Sequence, residues 1–82
     1  MQINLQTTFT DGSTKSISAI APDLVAFERE FDLSIARLET NVKLTHLFYL
    51  AWHAEKRTKA TALDFDAWLE TVEGISDTDV KK

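Results

Sequence analysis

The sequence predicts a small α+β protein, mainly α, in which an N-terminal β-hairpin packs on a bundle of three to four helices. Three observations carry that prediction. Residues 3–9 alternate apolar and polar at period two and lead into Asp11-Gly12-Ser13. Beyond Pro22 the apolar spacing changes to that of a helix. One segment, Val42 to about Arg57, is long and broadly apolar. With 82 residues, 44% of them hydrophobic, the chain is expected to be one domain with a compact but limited core. The expected division is a hairpin over 1–21, a helical body over 22–74 and a flexible tail over 75–82.

In the hairpin, Ile3, Leu5, Thr7 and Phe9 share one face, with Asn4, Gln6 and Thr8 on the other. Gly12 supplies the positive φ a tight turn needs. Ile17 and Ala19 alternate with Ser16 and Ser18 in the return strand. Two strands alone are unstable in water, so their apolar face must pack on the helices.

Pro22 cannot donate to a strand ladder and suits the first turn of a helix. Leu24, Val25, Phe27 and Phe31 give that helix its apolar positions, while Glu28, Arg29 and Glu30 face water. A second short turn is expected over Ile35–Leu38, and Asn41 is placed to cap the long helix. In that helix Leu44, Leu47, Phe48, Leu50, Ala51, Trp52 and Ala54 cover more than half the circumference, too much for one wet face. It is therefore expected to be either the central element or the carrier of an exposed apolar patch. Thr58–Leu63 reads as a connector. Asp64 then caps a last helix running to about Glu73, with Phe65, Trp68, Leu69 and Val72 on one stripe and Gly74 at its C-terminal end.

Several function classes lack their residues. Without cysteine there is no disulfide framework and no thiolate site. A net charge of −4 and a single basic cluster, Lys56, Arg57 and Lys59, argue against nucleic acid as partner. Those cations sit where the long helix ends and complement its dipole. No stretch has the roughly 20 apolar residues of a membrane span. No charged leader precedes an apolar run at Met1. His46 and His53 lie seven apart, about 10 Å along a helix, so they miss the i, i+4 spacing of paired metal ligands and are expected as partly exposed helix residues. Asp66, Glu70 and Glu73 share one helical face and read as its solvated side. No nucleophile set and no glycine-rich phosphate loop is recognisable. A non-enzymatic protein without cofactor or metal is expected.

What remains points to protein partners. Tyr49, Trp52 and His53 lie on one flank of the long helix, and Trp68 sits on the last one. Tyrosine and tryptophan are the usual interface anchors, so these four are the candidate partner-binding residues. Trp52 divides between core and interface on this reading. From Asp64 to Asp79 there are six acids and no base, an asymmetry that either pairs protomers or keeps the chain soluble.

The hairpin, the proline, Phe27-Glu28-Arg29-Glu30-Phe31, then Leu50-Ala51-Trp52-His53-Ala54 and Asp64-Phe65-Asp66-Ala67-Trp68-Leu69 occur in an order that resembles the short-frame tail assembly chaperones of siphophages, especially those of actinobacterial hosts. The resemblance runs from about residue 3 to 75. It implies a protein that binds the tape measure protein and tail tube subunits, works in the host cytoplasm and is absent from the mature virion. It also implies a longer frameshifted form as a further partner. The ending Lys81-Lys82 suits an A-rich slippery run. A small structural or connector protein of the particle, or a protein-binding regulator, is the alternative. Oligomeric state and client surface stay open at this level.

Overall fold

The computed structural model describes residues 3–32 and 44–77. The chain runs β1 (Ile3–Phe9), β2 (Thr14–Ala19), α1 (Ala21–Phe31), α2 (Leu44–Arg57), α3 (Phe65–Leu69) and β3 (Val72–Asp77). The strands form one antiparallel sheet in the order β2-β1-β3. Within the described residues the fold is α+β with three helices.

The hairpin follows its alternation. Leu5, Thr7, Ile17 and Ala19 are buried on the inner face, while Ser16 and Ser18 are exposed. The turn is closed by the Phe9 N–H donating to the Ser13 carbonyl at 2.8 Å and the Gly12 N–H donating to the Phe9 carbonyl at 2.9 Å. Gly12 sits at φ +92°, a conformation a Cβ would strain. Asp11 accepts from the Ser13 N–H at 2.9 Å, which stiffens the same turn.

Helix α1 begins at Ala21 with Pro22 in its first turn, and the Asp23 carboxylate accepts the Ile20 backbone N–H at 2.9 Å. This is the returning half of a capping box, a carboxylate at the positive end of the helix. Asp32 ends α1 at φ +53°. Helix α2 ends with Lys59 at φ +66°, where the Ala60 N–H reaches back to the Glu55 carbonyl at 2.8 Å. That is a Schellman-type end with lysine in the place glycine commonly takes. Asp64 caps α3 as its position predicts, accepting from the Ala67 N–H at 2.8 Å.

The last helix departs from expectation. It stops at Leu69, and residues 72–77 form a strand. Gly74 is not a helix C-cap. It lies opposite Thr8 in the ladder with β1. Ile75–Asp77 belong to that strand rather than to a flexible tail. Asp66, Glu70 and Glu73 consequently share no helical face. The cause is the second edge of β1. The Thr10 N–H donates to the Thr71 carbonyl at 2.9 Å and steers the chain onto it. The β-branched Thr71, Val72 and Ile75 fit a pleated, half-buried edge better than a helix. The expected turn at Ile35–Leu38 and the Asn41 cap lie outside the described residues.

The core is Leu5, Ile17, Ala19, Leu24, Phe27, Leu47, Leu50, Ala51, Ala54 and Trp68. Helix α2 contributes four of these and packs on all three strands, on α1 and on α3. Its broad apolar surface is accordingly that of a central element, with most of it covered by the chain itself. Among the described residues no helix is long and apolar enough to cross a membrane.

Candidate protein-binding face

One flank of α2 stays partly open, and its chemistry is built in two layers. The inner layer is a buried carboxylate. Asp23 is 0% exposed. It accepts from His53 Nδ1 at 2.6 Å and from Arg57 Nε at 3.1 Å on one oxygen. Its other oxygen accepts from Arg57 Nη2 at 3.0 Å and from the Ile20 N–H. His53 and Arg57 stand i, i+4 on α2, so both reach the start of α1 from one helical face. The guanidinium fork suits a carboxylate held edge-on. An ionised Asp23 requires Nδ1 of His53 to carry its proton. The group clasps the first turn of α1 to the last turn of α2.

Burial alone would raise the Asp23 pKa. The bonds from Arg57, His53 and the Ile20 N–H, with the Arg57 charge, outweigh it and hold the carboxyl below its ordinary 3.8. Arg57 is in turn pushed up by its bond to Asp23. The sign of the linkage follows. A carboxyl with a depressed folded pKa contributes stability that is present above the unfolded value and lost as pH falls through the folded one. Urea midpoints measured between about pH 6 and pH 2 are expected to fall below pH 4, and Asp23→Asn is expected to flatten that fall.

The outer layer is aromatic. Tyr49, Trp52 and Phe65 form a triangle of rings with centroids 5.6–5.8 Å apart. Phe31 meets Tyr49 edge-on at 5.3 Å. All four rings are only partly buried. The Trp52 indole N–H donates to the Leu63 carbonyl at 2.9 Å, which ties the connector onto α2. Leu63 itself is 42% exposed beside it. Lys56 Nζ lies 5.5 Å from the centre of the Trp52 ring, a cation–π contact rather than a free charge at the helix end. The His53 ring joins the layers, bonded to Asp23 and lying 6.0 Å from Tyr49 and 6.2 Å from Trp52. Burial, then the negative charges of Glu30 and Asp23, raise the Tyr49 pKa, so the phenol stays neutral at physiological pH.

Of the four sequence-predicted residues, the fold brings Tyr49, Trp52 and His53 together. Trp68 is separated from them. It is 2% exposed and packs edge-on to Phe9 inside the core, whereas the other three keep part of their surface open. His46 is also not the partly exposed residue its position suggests. It is buried between Phe27 and Phe31, with centroids at 5.1 and 5.0 Å. The basic cluster does not act as one either, since Arg57 is spent on Asp23. Asp23 and Phe65 were not foreseen. The only local sign of Asp23 is its position one residue after Pro22, and its partners lie 30 and 34 residues away.

Compared with known proteins, the chain matches no family model, no curated protein and no solved structure.

Proposed function

We propose that this chain acts without catalysis as an assembly chaperone of the phage-tail type, holding an apolar helical segment of a tape measure protein and recruiting tail tube subunits in the host cytoplasm. The observation that carries the reading is the partly exposed triangle of Tyr49, Trp52 and Phe65. Aromatic rings half-open to water on a rigid helix are the ordinary make-up of a helix-binding face. The clasp beneath holds that face in shape at the junction of α1 and α2. The resemblance in residues 27–31, 50–54 and 64–69 supplies the identity of the client. The reading needs no cofactor and no metal.

The test is co-expression with the tape measure protein. The wild-type chain is expected to keep that client soluble and to co-purify with it. The double variant Tyr49→Ala with Trp52→Ala is expected to lose the client while its circular dichroism spectrum is retained. Recovery of this chain at stoichiometric copy number in mature particles would instead make it a connector or structural protein.

A further inference from the structure

The clasp fixes more than the packing of α1 on α2. Asp23 has its charge partner in Arg57 and takes a hydrogen bond from His53 Nδ1 at 2.6 Å. With the proton held on Nδ1, the second nitrogen of a neutral imidazole is an acceptor only. The two nitrogens stand on opposite sides of the ring, so Nε2 points away from Asp23. The His53 side chain is 28% exposed. Among the described residues, the buried side-chain nitrogen and oxygen atoms left without a partner are Thr7 Oγ1 and Trp68 Nε1. His53 Nε2 is not one of them and makes no hydrogen bond there, so its lone pair meets water.

The surroundings of that lone pair select what can meet it. The ring lies 6.0 Å from Tyr49 and 6.2 Å from Trp52. The Trp52 N–H is already taken by the Leu63 carbonyl. A wholly apolar partner laid over these rings would strip the water from Nε2 and offer it no donor. A cationic donor is opposed by Lys56 and Arg57, which stand three and four residues further along the same helix. A serine or threonine hydroxyl on a partner helix is commonly bonded to its own carbonyl one turn back. A carboxamide N–H is neutral and free to donate.

We propose that His53 Nε2 is the specificity-determining acceptor of this face. The helical segment it takes carries a glutamine in the middle of its apolar stripe, and the glutamine side-chain N–H donates to Nε2. The proposal rests on the reading of the α2 flank as a partner face. Asp23 is the positioning residue, since its bond to Nδ1 sets both the tautomer and the direction of the ring.

Two measurements test it. Nitrogen-15 NMR of the imidazole in the free chain at about pH 8 reads the tautomer, and a proton on Nδ1 with a bare Nε2 is expected. Calorimetric titration with an apolar helical segment of the tape measure protein reads the contact, each position of its apolar stripe being replaced in turn by glutamine and by methionine. At one position the glutamine peptide is expected to bind at least about tenfold more tightly than the methionine peptide of similar length and shape. The same peptide is expected to shift the Nε2 resonance. His53→Phe keeps a ring against Tyr49 and Trp52 and is expected to erase the preference while still binding the methionine peptide. If His53→Phe perturbs the fold by circular dichroism, the Nε2 resonance of the wild type decides. A proton on Nε2 in the free chain overturns the proposal. So do glutamine and methionine peptides bound equally at every position, an outcome that leaves the partner face standing. Failure of every peptide to bind overturns both.

Discussion

Trp68→Ala is expected to destabilise the protein by about 3–5 kcal/mol, the range for emptying a large aromatic site in a packed core. Among the described residues Trp68 is the largest fully buried side chain, and it bridges α3 to the sheet through its edge-on contact with Phe9. It shares the core with Leu5, Leu50 and Phe27. A domain of this size has only about 5–10 kcal/mol of stability to lose. The variant is therefore expected to be largely unfolded at physiological temperature, with a urea midpoint far below that of the wild type. A partner-binding tryptophan would behave in the opposite way, leaving the midpoint nearly unchanged. The indole N–H and the Thr7 hydroxyl are buried without a hydrogen-bond partner among the described residues, so Trp68→Phe is expected to be tolerated much better than alanine.

Asp23→Ala is expected to cost about 3 kcal/mol, the lower end for removing one partner of a buried ion pair. The loss exceeds that of a surface salt bridge because Asp23 is fully buried and satisfies three separate donor groups. It stays at the lower end because the side chains of His53 and Arg57 keep some exposure and can rehydrate. Asp23→Asn is expected to recover part of the loss, since the amide oxygen still accepts while the charge is gone. Urea unfolding of the three proteins at neutral pH checks the order wild type, Asn, Ala. The clasp also joins the start of α1 to the end of α2, so its removal is expected to loosen the His53 ring that sits against Tyr49 and Trp52.

Legibility in the sequence divides along the range of the interactions. The hairpin could be read because its signals are local: alternation over seven residues and a glycine at the turn. The extent of α2 up to Arg57 and the Asp64 cap could be read for the same reason. The fate of residues 70–77 could not. Thr71, Val72, Gly74 and Ile75 are compatible with a helix end and a tail, and only the open edge of β1, more than sixty residues earlier, turns them into a strand. The clasp was hidden likewise. His53 and Arg57 read as a helix histidine and a dipole-compensating arginine until Asp23 is brought beneath them. Trp68 shared its stripe with Phe65, and periodicity alone does not say which of two aromatics on a short helix faces the core. The apolar breadth of α2 was informative but ambiguous. Most of it is answered inside the chain, and what remains open is the flank bearing Tyr49 and Trp52.

That flank is where the account is most exposed to refutation. The decisive measurement is the affinity of the purified chain for an apolar helical segment of the tape measure protein, wild type beside the Tyr49→Ala, Trp52→Ala double variant. Saturable binding by the wild type, with at least about a tenfold loss in a double variant that is still folded, is the result predicted for two aromatic contacts at the centre of an interface. No binding by the wild type, or equal binding by the folded variant, would contradict it.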